Sequence, residues 1–140
     1  MVEVAVTWAL IASLAQEAGA KCPNLVSAQW ALESGWGKHN SGINNPFGIK
    51  GKGVSLNTVE WKGGSYVREQ AEFKNYPSLE AAVQELVDRW YKDYRGYKGV
   101  NNAPNCQEAA RELQRQGYAT APNYSERLIQ LMNRYSDGTE

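Results

Sequence analysis

Histidine occurs once in this chain, at His39, and cysteine twice, at Cys22 and Cys106. So thin a supply excludes a structural zinc cluster built from His and Cys, and it leaves a single imidazole as a possible base. A Cys–His hydrolase assembled from Cys22 and His39 has no orienting partner in view, and Cys22 sits directly before Pro23 in a short connection. The two cysteines are either a disulfide or two small buried thiols, and their spacing does not choose between them. Net charge is missing as well. Fifteen basic side chains balance fifteen acidic ones, so no overall field draws the protein to nucleic acid or to an anionic membrane surface. Nor does any apolar run reach the roughly 18 residues of a membrane span. Residues 2 to 20 come nearest and end in Ala18-Gly19-Ala20, but they lack a basic leading segment and carry Glu3. Their apolar members Trp8, Ile11, Ala12, Ala15 and Ala18 fall at helical spacing, so the stretch reads as a first helix and not as an export signal.

What is present is aromatic and turn-rich. Two Phe stand against five Trp and eight Tyr, rings that pair an apolar face with a polar tip and suit either a core or a sugar-binding surface. At 140 residues and 42% hydrophobic, the chain suffices for one domain with a sizeable core. We therefore expect residues 1 to 140 to form a single unit closing in a polar tail at 136 to 140.

Pro23 and Asn24 open a second helix that runs to Gly35, where glycine is the expected residue just past a helix end. Residues 35 to 53, with six glycines, Asn40, Asn44, Asn45 and Pro46, hold neither helical nor strand periodicity. Alternation then begins: Val54, Leu56, Thr58 and Glu60 share one strand face and Val59 and Trp61 the other. Lys62-Gly63-Gly64-Ser65 makes a hairpin turn, and residues 66 to 76 form the return strand. Ser78 caps a helix whose stripe is Leu79, Ala82, Val83, Leu86, Val87 and Trp90. After a loop over 94 to 104, a helix runs from Asn105, with Glu108 in capping-box position, to Gly117. A last helix follows Pro122, with Tyr124, Leu128, Leu131, Met132 and Tyr135 on one side. The class is α+β, mostly helical with an inserted hairpin.

Glu33 is the residue whose placement is least expected. It lies in the last turn of an apolar helix, at the negative end of the macrodipole and beside Trp30, Leu32 and Trp36. Both influences resist ionisation, so Glu33 is a candidate for a carboxylic acid that stays protonated well above its model value of about 4.3. A neutral acid facing an ionised carboxylate across a cleft is the basic equipment for glycosidic bond cleavage. Glu60 near the hairpin tip is the candidate partner, with Glu69 and Glu72 on the return strand as alternatives.

The string Ala28-Gln29-Trp30-Ala31-Leu32-Glu33-Ser34-Gly35-Trp36-Gly37, followed by Asn44-Asn45-Pro46-Phe47-Gly48-Ile49-Lys50-Gly51, resembles the signature of the flagellar-type β-N-acetylglucosaminidases, glycoside hydrolase family 73. Thr58-Val59-Glu60-Trp61, Phe73-Lys74-Asn75-Tyr76-Pro77-Ser78, Gly117-Tyr118-Ala119-Thr120 and Pro122-Asn123-Tyr124 continue the resemblance in order, over roughly residues 5 to 135. It implies a lysozyme-like fold with the hairpin beside the cleft. It implies hydrolysis of the β-1,4 bond between N-acetylglucosamine and N-acetylmuramic acid in peptidoglycan. Glu33 would be the general acid, Glu60 the second carboxylate, and Tyr118 a cleft tyrosine in the catalytic set. Trp36, Phe47, Gly48 and Tyr124 would contact substrate. No metal or cofactor is implied, and the expected partner is the glycan strand, met by a monomer without nucleic acid or membrane. One position departs: the family commonly carries Asp where this chain has Ala121. A lytic transglycosylase using the same Glu, or a wall-binding module with a decayed site, are the competing readings. Action at the bacterial cell wall by a chain without an export signal would suit a phage lysin or tail component, or a fragment of an exported protein.

Overall fold

The computed structural model describes residues 5 to 135; the tail expected at 136 to 140, and Val2 and Glu3 of the amino-terminal stretch, lie outside them. Among the described residues the chain forms five α-helices and one two-stranded hairpin that stands beside them: α1 (Trp8–Ala18), α2 (Pro23–Ser34), β1 (Gly53–Lys62), β2 (Ser65–Lys74), α3 (Leu79–Leu86), α4 (Cys106–Arg115) and α5 (Tyr124–Tyr135). The first helix starts later than residue 2 because Thr7, in extended conformation, accepts the Leu10 amide on its hydroxyl at 3.1 Å and fixes the start at Trp8.

The second helix is the axis of the molecule. Seven consecutive residues from Leu25 to Ala31 are buried, so α2 has no solvent face over two turns. A helix apolar all round belongs in a core. It packs between α1 and α5, and Gly35 closes it in the left-handed conformation (φ 57°). A disulfide between Cys22 and Cys106, with Cα atoms 5.7 Å apart, joins the start of α2 to the start of α4. This settles the alternative left open by the sequence.

The hairpin pairs Gly53 with Lys74 through Lys62 with Ser65, turning on Gly63 and Gly64, both at positive φ. The return strand ends two residues earlier than residue 76. Asn75 turns its side chain to accept the Ile43 amide, and the Tyr76 amide donates to the Ile43 carbonyl at 2.8 Å, so the chain here pairs with the glycine-rich loop. That loop is held by Asn45, fully buried, whose amide nitrogen donates to the carbonyls of Ile49 and Lys74 while its oxygen accepts the Ile49 amide. At Gly53 the backbone lies so close to the Phe73 carbonyl that any side chain would collide with it.

The stripe through α3 reaches Trp90 as expected, but its last turn, Val87–Tyr91, is π-helical. The widened turn ends with Tyr91 fully buried and Trp90 partly exposed beside it. Asn105 caps α4 by accepting the Glu108 amide at 2.8 Å. The reciprocal half of the capping box is not made, because the Glu108 carboxylate pairs with Arg111. Among the described residues no helix is long and apolar enough to cross a membrane.

The disulfide spans 84 residues of sequence, and closing so long a loop chiefly restricts the unfolded chain. Replacing both Cys22 and Cys106 by Ser is expected to lower stability by about 2–4 kcal/mol. A urea titration checks it: the midpoint of the double variant should fall and match that of the parent in reductant.

Candidate active site

A cleft of about 350 Å³ opens between the end of α2, the hairpin and the segment joining α4 to α5. Glu33 and Leu32 line it from α2, Phe47, Gly48 and Lys50 from the glycine-rich loop, and Thr58 and Glu60 from β1. Tyr118, Thr120, Ala121 and Tyr124 close it from the carboxy-terminal side, with Arg127 behind them on α5.

The two carboxyls are held in opposite states. Burial raises the Glu33 carboxyl to about 7. Within that balance a hydrogen bond from the Tyr124 hydroxyl pulls down, the charge of Glu60 pushes up, and Arg127 pulls down again. For Glu60 burial also acts upward, but hydrogen bonds from Lys50 and Thr120, with the charges of Lys50 and Lys62, outweigh it and leave the carboxyl below its usual range. The contacts are short: the Lys50 ammonium lies 2.8 Å from one Glu60 oxygen, and the Thr120 hydroxyl donates to the other at 2.7 Å. The same Thr120 oxygen accepts the Trp61 amide at 2.9 Å, so one threonine fixes both the carboxylate and the strand that carries it.

Glu33 is in turn held from behind. Tyr91 donates its hydroxyl to the Gln29 side-chain oxygen at 2.5 Å, and the Gln29 amide donates to the Tyr124 oxygen at 3.1 Å. The Tyr124 hydrogen is thereby left free to point at Glu33. Gln29 and Tyr91 are fully buried, and Tyr124 is nearly so. The hydroxyls of Tyr118 and Tyr124 are pushed well above the usual tyrosine range by burial first and by the Glu33 charge second, so both remain donors. Tyr118 donates to the Phe47 carbonyl at 2.8 Å and stacks on Tyr124 with ring centres 6.0 Å apart. Gly48 stands against Glu33: a β-carbon there would approach a carboxyl oxygen to 3.5 Å, and φ is +67°.

Six of the seven residues singled out in the sequence thus meet in one cleft: Glu33, Glu60, Tyr118, Phe47, Gly48 and Tyr124. Phe47 is fully buried, so it supports the floor and offers its backbone. Trp36 is the exception. It packs edge-on against Trp30 and Tyr135 and tilted against Trp8, and it lines a neighbouring hollow with Arg134 and Gln130 that shares Leu32 and Arg127 with the cleft. The left-handed backbone at Gly35 and Trp36 turns the indole away from the cleft and into the core. The alternative carboxylates are engaged elsewhere: Glu69 pairs with Lys62, and Glu72 accepts the Gly53 amide at the base of the hairpin. The sequence did not single out Gln29, Tyr91, Lys50, Thr120 or Arg127. Gln29 left a signal as a lone amide in an otherwise small and apolar helix stretch, and Lys50 and Thr120 lay within the strings that carry the family resemblance, while Tyr91 and Arg127 left none. Among the described residues no group of three or more His, Cys, Asp or Glu is gathered to hold a metal ion.

Residues 9–137 match the family model described as mannosyl-glycoprotein endo-beta-N-acetylglucosaminidase. The peptidoglycan hydrolase FlgJ of Pseudomonas aeruginosa is 35% identical over 116 residues, covering 74% of this chain and 29% of that protein. The exo-glucosaminidase LytG of Bacillus subtilis is 35% identical over 123 residues, covering 81% of this chain and 44% of that protein. The chain therefore spans less than half the length of these relatives. Among solved structures, a truncated glycoside hydrolase domain of Salmonella typhimurium FlgJ superposes with a TM-score of 0.63 at 30% identity, covering 93% of both chains. A peptidoglycan hydrolase mutant from Sphingomonas sp. A1 gives 0.69 at 33%, covering 91% of this chain and 88% of that one. With the family model spanning nearly all of it and the lysozyme-like α+β fold shared with these structures, the chain belongs to the glucosaminidase family of glycoside hydrolases.

Proposed function

We propose that this protein hydrolyses the β-1,4 bond between N-acetylglucosamine and N-acetylmuramic acid in the peptidoglycan of the bacterial cell wall, with Glu33 as general acid. The observation that carries the reading is the opposed state of the two carboxyls, one raised to about 7 and the other held ionised by Lys50 and Thr120. Cleavage needs a proton for the departing sugar oxygen and negative charge for the oxocarbenium-like centre left behind. Glu33 supplies the first. Glu60 supplies the second, and because both its oxygens are already engaged it acts as a fixed charge facing the anomeric carbon. Tyr118 and Tyr124 bound the position between them, Tyr124 orienting the Glu33 proton. Phe47 and Gly48 shape the floor, Gly48 leaving room for a sugar beside Glu33. Ala121 removes one acid from the rim, and the Glu33–Glu60 pair does not depend on it.

Glu33→Gln keeps the shape of the site and removes the proton. Turnover of purified peptidoglycan is expected to fall by about 10²–10⁴-fold, and mass spectrometry of the parent's digest should show reducing N-acetylglucosamine ends. Anhydromuramic ends would identify a lytic transglycosylase instead. A digest without cleavage by either form, with both retained on the wall, would identify a binding module.

The pH dependence has a fixed sign. Glu33 must be protonated to act, so the rate should decline as pH rises through about 7. Tyr124→Phe deletes a hydrogen bond that lowers the Glu33 value, so the alkaline limb should move upward in pH even as the maximal rate drops.

Stability follows the same group in the opposite sense. Because its folded value lies above the unfolded one, the ionised Glu33 opposes folding, not at all below about pH 4.5 and fully above about pH 7. Glu33→Gln should therefore be more stable than the parent at pH 8–9, by up to about 3 kcal/mol. The advantage should vanish near pH 4, which thermal unfolding across pH would show.

A further inference from the structure

Beyond Tyr118 the cleft does not end. Gly48, Lys50 and Tyr118 also line a second hollow, which reaches Arg89 and Trp90, and these two border a third of about 380 Å³ completed by Tyr94, Tyr97 and Gln116. The link is a ring contact: Trp90 meets Tyr118 edge-on with centres 4.9 Å apart. Tyr97 at its far wall is 77% exposed.

The turn carrying these tyrosines is held more firmly than an idle loop requires. Tyr94 and Tyr97 exchange backbone hydrogen bonds, both 2.9 Å, across Arg95 and Gly96 at φ 50° and 87°, the two-residue geometry of a tight hairpin. Just before it, one Asp93 oxygen accepts both the Gly99 amide at 3.0 Å and the Asn102 side chain at 2.7 Å. The result is a rigid support on which Tyr97 is open to solvent and Tyr94 and Trp90 are partly so. A preordered aromatic wall of this kind binds with little loss of side-chain freedom.

The cations around the wall are already engaged. Arg89 pairs with Glu85 at 3.3 Å and lies over the Tyr94 ring, Arg95 covers Tyr94 at 5.0 Å, and Lys98 pairs with Asp93. What remains presented is the flat ring of Tyr97 beside Trp90, a surface that fits the face of a sugar ring.

We infer that Trp90, Tyr94 and Tyr97 form a distal subsite, continuous with the catalytic cleft, that stacks a further sugar of the glycan strand beyond the bond being cleaved. The inference takes its substrate from the glucosaminidase reading, and the two can fail separately. Trp90 is left intact in the test because it touches Tyr118. The probes are peptide-free glycan strands, prepared from peptidoglycan with an amidase, and a tetrasaccharide of the same repeat as the short reference.

In a Glu33→Gln background, adding Tyr94→Ala and Tyr97→Ala together should weaken strand binding about tenfold and leave tetrasaccharide binding as it was. In the active protein the same pair should raise KM for strands by that factor without changing kcat, as expected for contacts made equally in ground and transition states. Equal strand affinity with and without the tyrosines overturns the subsite. An equal loss on the tetrasaccharide overturns it too, as does a loss seen only on strands still bearing stem peptides, which would make the hollow a peptide site. A parent that binds strands through these tyrosines yet cleaves neither probe would remove the glucosaminidase reading and leave the strand site standing.

Discussion

Keeping one carboxyl neutral within reach of another that stays charged is the constraint on which the rest of this structure turns. Two carboxylates exposed to water would both ionise below pH 5, and the distinction between proton donor and fixed charge would vanish. The chain separates them by unequal environment. Glu33 is carried into the cleft on the end of the most deeply buried helix, where desolvation outweighs the help of Tyr124 and Arg127. Glu60 is placed on a hairpin and supplied with an ammonium and a hydroxyl, one for each oxygen. Burial acts upward on both, but Glu33 is withdrawn from water much further, and Glu60 in addition meets more donors.

That arrangement explains polar groups a purely apolar core would omit. Gln29 is fully buried in the middle of α2, where an unpartnered amide would be costly. It is not unpartnered: it accepts from Tyr91 and donates to Tyr124, linking the widened end of α3 to the start of α5 through the central helix. Because the Tyr124 oxygen is occupied as an acceptor, its hydrogen has one useful direction. A buried, connected network of this kind fixes orientation more than it adds stability.

The fold was largely readable because its signals are local. Ser78 and Asn105 cap helices by their own side chains, Gly35 ends one by its own φ, and Gly63-Gly64 sets the hairpin register. Glu33 was readable for the same reason, since helix position and neighbouring apolar residues are both visible in one ten-residue string. The partners that tune it were not. Thr120 meets Glu60 across 60 residues and Tyr91 meets Gln29 across 62, and no periodicity carries information over that range. Trp36 shows the converse. The family resemblance assigned it to the substrate, but two successive left-handed residues turn the chain and pack the indole against the core.

The segment between α4 and α5, together with the first residue of α5, carries the remaining burden, because its few residues touch every wall of the cleft. Tyr118 bonds the Phe47 carbonyl of the floor, Thr120 bonds both Glu60 and the strand bearing it, and Tyr124 bonds Glu33. The hairpin has no comparable grip of its own: it is fastened at its base by the Asn45 loop and near its tip by Thr120, with Leu56 and Val59 left exposed between. The placement of the second carboxylate thus depends on where α4 delivers this segment. The start of α4 is fixed covalently to the start of α2, the helix that ends at Glu33. The disulfide lies far from the chemistry in sequence, yet it ties the helix carrying the acid to the helix leading into the segment that positions its partner. The distance between the two carboxyls is in this sense a property of the α2–α4 pair, and the hairpin follows it.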